Sequence, residues 1–172
     1  EGGCSGGGAC FLASTSVAMV SGGRRPVTEL GRGMIVQGCV LGNDGLWRSC
    51  PLTIRSVAWG PHHTTAIRLG TTSVTADHPV LSWKSKTLLW GPAGARRKAE
   101  VVKGGCTVHI TVVPVRSVTG EPRQVGILDG NWVLGVGGSQ IPRGMVTGTH
   151  PDYLTDPREG PGRPALPELP HP

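Results

Sequence analysis

The feature that most constrains the fold of this chain is a series of short β-branched runs separated by turns. Such residues favour strands because they pack well on a pleated surface, while Gly, Pro, Asn and Asp favour the turns between strands. The breaks between the runs contain these turn residues. The runs that predict strands are residues 15–20, 34–40, 52–59, 64–69, 79–83, 107–113 and 132–136.

Composition supports an all-β fold. The chain contains 28 glycines, and aromatic residues make up 4% of it, which suits short strands joined by tight turns better than long packed helices. No segment keeps a helical apolar spacing for three turns. The segment Gly42-Asn43-Asp44-Gly45 is a hairpin-turn signal. At 172 residues, the chain has the length of one domain.

The two ends of the chain differ from its middle. Residues 1–8 are mostly glycine and predict a flexible leader, whereas residues 157–172 are rich in proline, poor in apolar residues, and predict a disordered tail. The predicted folded body is therefore residues 9–156. Because the sequence begins with Glu1 instead of Met, we expect it to be excised from a longer protein.

Charge and short apolar segments argue against several classes of partner. The net charge of +6 comes from scattered arginines, and the clusters at Arg24-Arg25 and at residues 96–98 carry no interleaved aromatics that could stack on bases. We interpret them as solvated loops and expect no nucleic-acid partner.

Residues 9–20 are apolar but contain hydroxyl side chains and fall short of the ~20 residues that span a bilayer. We expect no membrane partner.

The cysteines form no recognisable framework. Five of them stand at irregular spacings, so neither a complete set of disulfides nor a CxxC metal clip is indicated, and at least one thiol is expected to be free. We therefore predict no metal and no cofactor. The cysteines are Cys4, Cys10, Cys39, Cys50 and Cys106. The last three fall in or beside predicted strands, where a thiol usually behaves as a small apolar residue.

Two segments carry candidate chemistry. Cys10 follows small flexible residues, so the chain before it can bend back on the amide of Cys10. Thr75 and His78 stand three residues apart in a turn, where a hydroxyl and an imidazole can converge on one target, and Pro79 restricts the backbone after the histidine. Each segment also has a structural interpretation: a buried thiol for Cys10 and an ordinary turn for the Thr-x-x-His sequence.

Taken together, the segments resemble the opening motifs of the Hint (hedgehog/intein) superfamily. The resemblance is carried by a Cys-Phe-x-x-x-Thr-x-Val opening at Cys10, a Leu-Gly-x-Gly turn at residues 30–33 and a Thr-x-x-His-Pro-Val segment at residues 75–80. It covers the front half of the chain. It implies a compact all-β fold of intertwined short strands and long β-hairpins.

Later segments look like the Vint group, the intein-like domain attached to von Willebrand type A domains. They include residues 89–92, the strand at 106–112, the stretch 128–138 and a His-Pro-Asp-Tyr segment that begins at His150. Val136 stands where that group usually carries a histidine. The resemblance implies an upstream protein segment, such as a von Willebrand type A domain, as the covalent partner, and we expect a monomer.

The resemblance also implies roles for individual residues. Cys10 is the nucleophile that attacks the carbonyl carbon of Ala9, so that an N-to-S acyl shift gives a thioester. His78 contacts the scissile nitrogen and protonates the leaving amine, and Thr75 hydrogen-bonds near the scissile peptide. Asp77 is a further candidate because it could tune the neighbouring histidine, but an Asx turn is the preferred explanation, since adjacent side chains often point apart.

The fate of the thioester follows from the end of the sequence. Full splicing needs a terminal His-Asn pair followed by Cys, Ser or Thr, and the chain has no such ending. Hydrolysis or transfer to an external nucleophile is therefore expected. His150 matches the His-Pro-aromatic segment and is kept as a possible site residue, with a structural turn role as the preferred explanation. His62-His63, after Gly60-Pro61, predicts an exposed hairpin.

Two further interpretations stay open at the sequence level. One is a Hint domain that folds but no longer cleaves, acting as a tether or interaction module, which is motivated by Val136 and by Arg32 in place of the Asp that often follows Gly31. The other is an unrelated small β-rich binding domain.

Overall fold

The computed structural model describes residues 10–42, 45–83, 90–115 and 124–136. These residues form strands and two 3₁₀ turns, with no α-helix among them, so the predicted all-β class is confirmed. The strands are β1 (Phe11–Leu12), β2 (Ser16–Ala18), β3 (Arg24–Pro26), β4 (Ile35–Val36), β5 (Gly38–Leu41), β6 (Trp47–Ser49), β7 (Leu52–Leu69), β8 (Thr72–Val74), β9 (Pro79–Ser82), β10 (Gly91–Pro92), β11 (Glu100–Pro114), β12 (Val125–Asp129) and β13 (Trp132–Gly135). The 3₁₀ turns are Val27–Glu29 and Ala93–Ala95.

The strands form two main sheets and one small ribbon. The first sheet has the order β11-β1-β8-β7-β4, and β11 also pairs with β7. The second has the order β10-β9-β13-β12-β5-β6, and β2 pairs with β3. All pairings between these strands are antiparallel. In the described part of the chain, no helix is long and apolar enough to cross a membrane.

The run predicted at residues 34–40 is divided between the two sheets. It forms β4, which pairs with β7 in the first sheet, and β5, which pairs with β12 in the second. Gln37 lies between them, and its side chain donates to the carbonyl oxygen of Met19 at 3.2 Å. The chain therefore passes from one sheet to the other at this polar residue, so that both halves of an apolar run are used in the core.

The predicted break at Gly60-Pro61 is wrong, and so is the exposed hairpin at His62-His63. β7 continues through these residues and pairs with β11 on both sides of a register shift between Gly105 and Thr107. Proline cannot donate to a ladder, so within a strand it is confined to edges and bulges. The shift lies opposite Pro61, whose carbonyl oxygen accepts the Thr107 hydroxyl at 2.6 Å.

The hairpin predicted at residues 42–45 is confirmed by the residues that the structure describes there. β5 and β6 pair antiparallel on either side of it, and Gly45 has a φ of +80°. The N–H of Gly42 donates to the carbonyl oxygen of Leu46 at 2.9 Å. A positive φ at the end of the turn is the conformation that glycine accepts without steric cost.

The core fills the space between the two sheets. Its main cluster combines residues from both, among them Phe11, Leu52 and Ile110 from the first sheet and Ile127 and Leu134 from the second. Aliphatic side chains of about this size contribute ~1.5 to 3 kcal/mol each when fully buried. The start of β1, the end of β8 and the end of β13 meet at one edge of this core, where the candidate site lies.

Candidate active site

Cys10 lies directly before β1, and its side chain is fully buried. Phe11 pairs with Val74, and one residue further the N–H of Thr75 donates to the carbonyl oxygen of Cys10 at 3.0 Å. The N–H of Cys10 in turn donates to Thr75 Oγ1 at 3.2 Å, across a sequence separation of 65 residues. The β1–β8 ladder thus places the threonine hydroxyl on the amide that joins Ala9 to Cys10.

The segment from Thr75 to His78 is a closed turn that is braced from outside. The N–H of His78 donates to the carbonyl oxygen of Thr75 at 3.0 Å, the bond that defines a four-residue β-turn. The N–H of Ala93 donates to the carbonyl oxygen of His78 at 2.9 Å, and the N–H of Gly94 donates to that of Ala76 at 2.7 Å. These bonds fix the backbone on which the imidazole is carried.

The His78 ring is fully buried and contacts backbone carbonyls on both sides. Nδ1 lies 3.3 Å from the carbonyl oxygen of Cys10, and Nε2 lies 2.8 Å from that of Gly135 at the end of β13. The ring of Phe11 packs edge-on against it with centroids 4.9 Å apart. Burial lowers the pKa of His78 to about 4, although the carbonyl oxygens of Gly135 and Cys10 oppose this shift.

The lowered pKa sets the charge of the His78 ring, and the two contact distances assign the position of its proton. At neutral pH the imidazole is uncharged and carries one proton, so only one of the two carbonyl contacts is a hydrogen bond. The shorter contact assigns the proton to Nε2, which donates to Gly135. The unprotonated Nδ1 therefore faces the backbone of Cys10, and the ring is a proton acceptor in its resting state.

The contacts that Thr75 and His78 make differ from those that the resemblance implies. The expected contact of His78 was with the scissile nitrogen, but Nδ1 faces the carbonyl oxygen of Cys10, one peptide further along the chain. The hydrogen bond to the nitrogen itself is made by Thr75. Cys10, Thr75 and His78 are nevertheless brought together at one buried point, as the motif predicts.

The sulfur of Cys10 is disulfide-bonded. Among the described residues, Cys39, Cys50 and Cys106 are free thiols, in agreement with the expectation of at least one. Burial, with a smaller contribution from Cys50, raises the pKa of Cys39 above its usual range. Cys106 is exposed, so the apolar role expected of it is wrong, whereas Cys39 and Cys50 are buried.

Asp77 sits at the third position of the turn and is half-buried. Burial raises the pKa of Asp77 to about 6, while its own backbone N–H and a hydrogen bond with the side chain of Thr75 oppose this shift. The sequence analysis connected Asp77 to the neighbouring histidine. Thr75 is among the causes of this pKa shift, and His78 is not.

Val136 is 2% exposed and belongs to the main core cluster. It directly follows Gly135, whose carbonyl oxygen orients His78. An aliphatic side chain at this position packs and cannot transfer a proton. Ala9 and His150 lie outside the described residues, as do the leader, the tail and the later segment 137–156 of the predicted body.

A second buried polar cluster was not anticipated from the sequence. Arg24 Nη1 donates to Asp129 Oδ1 at 2.6 Å, and Asp129 Oδ2 accepts the hydroxyls of Thr71, at 3.2 Å, and Thr72. Arg24 was interpreted as part of a solvated loop; it is exposed, but it lies in the strand β3 and its partner Asp129 is nearly buried, so the loop part of that interpretation is wrong. No local pattern marks a pair separated by 105 residues.

In the second cluster, Arg97 and Lys98 are exposed and lie in a turn, as expected, whereas Arg96 departs from the solvated-loop interpretation. The guanidinium of Arg96 donates to the carbonyl oxygen of Val80 and lies 5.8 Å from the centroid of the Trp132 ring. Burial lowers the pKa of Arg96. In the described part of the chain, no group of three or more His, Cys, Asp or Glu side chains could hold a metal ion.

Comparison with solved structures shows a weak likeness to an intein-like domain. Among solved structures, the chain is similar to the solution structure of a bacterial intein-like domain from Clostridium thermocellum, with 15% sequence identity and a TM-score of 0.49. The likeness covers 74% of this chain and 97% of that one. No family model and no curated protein matches the sequence. A likeness of this size does not assign a family, so the functional argument rests on the site.

Proposed function

We propose that this chain is an autoprocessing domain of the Hint superfamily, of the Vint type, that cleaves the peptide bond between Ala9 and Cys10. The observation that carries the proposal is the convergence on Cys10: Thr75 bonds the amide of Cys10 from 65 residues away, and His78 reaches the carbonyl of Cys10 from 68 residues away. These are the three residues that the Hint motifs mark.

The first requirement is a free thiol at Cys10. A sulfur that is bonded to another sulfur cannot attack a carbonyl carbon, and the structure has Cys10 in a disulfide. A dithiol or thiol reductant would break that bond by exchange, taking up one sulfur as a mixed disulfide and releasing the other as a thiolate. The domain as it stands would therefore be the resting form, and reduction would precede cleavage.

His78 would accept a proton in one step and return it in the next. Its neutral Nδ1 would accept the thiol proton of Cys10, and the resulting thiolate would attack the carbonyl carbon of Ala9. As the C–S bond forms and the C–N bond breaks, the departing nitrogen would take that proton back from the ring. Because its pKa of about 4 keeps His78 neutral at pH 7, the ring has a lone pair that can accept a proton, and the protonated ring would return that proton more readily than an ordinary imidazolium.

Thr75 would hold the departing nitrogen. Its Oγ1 accepts the N–H of Cys10 now, and the amine that forms still has an N–H to donate. A preorganised hydrogen-bond partner of this kind is typically worth ~2.7 to 4 kcal/mol of transition-state stabilisation. The thioester would then be resolved by water or by an external amine, thiol or alcohol, releasing the upstream segment, and splicing is not part of the proposal.

The test is a fusion in which a reporter protein precedes Glu1. Incubation with a reductant should release a fragment that ends at Ala9, with the mass of the thioester hydrolysis product or of the adduct with an added thiol. Cys10→Ala should stay intact under the same conditions. An intact wild-type fusion, or a cut mapped to another peptide bond, would contradict the proposal.

One observation favours a second candidate function, a Hint fold that no longer cleaves and serves as a tether. Val136 stands in the position of the usual histidine, and its buried aliphatic side chain cannot donate or accept a proton. A folded wild-type domain that stays intact in the fusion assay with reductant, and behaves like Cys10→Ala, would support this candidate over the first.

A further inference from the structure

We propose that His109 activates the nucleophile that resolves the thioester on Cys10. The proposal deepens the proposed cleavage of the Ala9–Cys10 bond and rests on it. Thr75 and His78 contact the backbone of Cys10, at its nitrogen and at its carbonyl oxygen. The nucleophile that resolves a thioester must attack at the sulfur, which belongs to the side chain, so we looked for a proton acceptor on that side.

The β1–β11 ladder places His109 opposite Cys10. Three successive pairs set the register of these two antiparallel strands. They are Phe11 with Val108, Leu12 with Thr107, and Ala13 with Cys106, the last through an N–H to carbonyl bond of 2.8 Å. Continued by one residue, this register sets Cys10 against His109.

This pair is of the kind whose side chains lie closest together. In an antiparallel ladder, hydrogen-bonded pairs alternate with non-hydrogen-bonded pairs, in which the Cα atoms are about 4.5 Å apart. The N–H of Ala13 bonds to β11, whereas the N–H and the carbonyl oxygen of Cys10 both bond to Thr75 on the opposite side. Cys10 and His109 therefore form a non-hydrogen-bonded pair, and we expect their Cβ atoms within about 5.5 Å.

The side chains of Cys10 and His109 also share one face of the sheet. Side chains two residues apart on a strand point to the same face, so Leu12 lies on the face of Cys10 and Thr107 on the face of His109. A Cβ on Gly105 would lie 3.8 Å from Cδ1 of Leu12, as this alternation requires. Cys10 is 0% exposed and His109 is 3% exposed, so both lie away from bulk water.

Thioester formation moves the acyl group toward His109. Before the N-to-S shift, the carbonyl carbon of Ala9 is bonded to the nitrogen of Cys10, which donates to Thr75 on the β8 side. After the shift, the same carbon is bonded to the sulfur and is carried by the side chain that faces His109. The first step thus uses the groups on the β8 side, among them His78, and the second step uses the imidazole on the β11 side.

The resolving step balances with water as the other reactant. An unprotonated nitrogen of the His109 ring accepts a proton from water as the C–O bond forms at the carbonyl carbon of Ala9. The C–S bond then breaks, and the thiolate of Cys10 takes that proton back from the imidazolium. The products are a carboxylic acid at Ala9 and a free thiol at Cys10. A thiolate that attacks the thioester has no proton to lose and does not need this help.

The test compares water with a thiol as the resolving nucleophile. In the reporter fusion at pH 7.5, reduced with a phosphine so that no thiol is added, His109→Gln should slow hydrolytic release about a hundredfold, because general base catalysis is lost. With a small thiol added in excess, the same variant should release the reporter within about threefold of the wild-type rate. His62→Gln, which removes an exposed histidine of β7, is the matched control and should cleave like the wild type with either nucleophile.

The ratio of the two rates separates a chemical role from a role in folding. A disturbed site would form less thioester and would slow release by water and by the thiol to the same extent. Equal slowing with both nucleophiles would therefore overturn the proposal. A rate of hydrolysis in His109→Gln within threefold of the wild type would overturn it as well.

A measurement without cleavage distinguishes this proposal from the proposed function. In the oxidised, intact chain, NMR should show a nuclear Overhauser effect between the Hβ protons of Cys10 and the ring protons of His109, because the two side chains share a face. If that effect is missing, the role of His109 is wrong even where the wild-type fusion cleaves. If the effect is present and the reduced wild-type fusion is inert to water and to the thiol, the proposed function is wrong, and the chemical role of His109 fails with it.

Discussion

Two clusters in this molecule combine a carboxylate with threonine hydroxyls, and their electrostatics differ. In the structural cluster, Asp129 is paired with Arg24 at 2.6 Å and accepts the hydroxyls of Thr71 and Thr72. Every charge there has an opposite charge or a donor beside it. The cluster ties β3, β12 and the β7–β8 turn together.

The reactive cluster around Cys10 is built from similar residue types without a compensating cation. The described residues offer Asp77 a hydroxyl and its own amide but no salt bridge, and burial raises its pKa to about 6. His78 is buried between two carbonyls, and its pKa is lowered to about 4. Burial without charge compensation favours the neutral forms of both side chains, and such shifted groups cluster at functional sites. The difference lies in the partners, not in the residue types.

The largest expected effect is all-or-none and concerns only the reactive cluster. Without reductant, the fusion should stay intact because the Cys10 sulfur is blocked, and with reductant it should cleave. Equal cleavage by the wild type with and without reductant, measured by gel and mass spectrometry, would contradict the disulfide as the block.

The next largest expected effect is a loss of cleavage rate on substitution of His78 in the reactive cluster. His78→Gln should slow cleavage by about a thousandfold, because the proton acceptor is lost and general acid–base catalysis contributes ~10² to 10⁴-fold. His62→Gln, on the exposed side of β7, is the control and should cleave like the wild type. A His78→Gln variant that folds and cleaves within tenfold of wild type would remove the histidine from the mechanism.

The dependence of stability on pH gives a third prediction. Because the pKa of His78 falls from 6.5 to about 4 on folding, its contribution is complete above pH 6.5 and is lost as the pH falls toward 4. The full loss is about 3 kcal/mol. Urea unfolding should show that His78→Gln loses less stability than the wild type between pH 7 and pH 4.5.

The raised pKa of Asp77 changes stability in the opposite direction to that of His78 over part of the same pH range. Its pKa rises from 3.8 to about 6 on folding, so the folded chain gains relative stability as the pH falls through 6. Asp77→Asn should therefore lose more stability than the wild type between pH 7 and pH 4.5. Changes of the same sign in the two variants would mean that the pair does not have the opposite shifts described above.

The smallest expected effect is a loss of stability on substitution in the structural cluster, with no change in the cleavage rate. Asp129→Asn should lower the free energy of unfolding by about 2 kcal/mol, because the nearly buried carboxylate is removed from Arg24 and two hydroxyls. The cleavage rate of the folded fraction should be unchanged. Glu100→Gln, in an exposed ion pair, should change stability by less than about 0.5 kcal/mol. An Asp129→Asn variant that is fully folded yet cleaves tenfold slower would contradict a purely structural role for the Asp129 cluster.

Local sequence patterns predicted much of the fold because the forces that select strands and tight turns act over a few residues. The runs at 79–83 and 132–136 correspond to β9 and β13 with boundaries within one residue. The run at 107–113 is the buried half of β11, whose first half, from Glu100, has more polar and glycine positions. That half was missed because its strand conformation comes from pairing with β7 and not from its own side chains.

Sequence reasoning also found the three residues at the centre of the site, but it did so by motif. Spacing alone left Cys10 with a structural thiol as the alternative, and the turn from Thr75 to His78 with an ordinary turn. The Gly135 carbonyl that orients the imidazole carries no side-chain signal at all. Such backbone partners can be found only when the strands are placed.

By itself, the sequence determined an all-β chain, a Thr-x-x-His turn and a cysteine that follows a flexible segment, because propensity and turn chemistry are local. Only the tertiary structure decided that Thr75 meets the amide of Cys10, that the sulfur of Cys10 is bonded, and that burial raises the pKa of Asp77 while the carboxylate of Asp129 meets an arginine. The physical reason is that hydrogen-bond partners and desolvation depend on the strands that pack around a residue, and those strands come from distant parts of the chain.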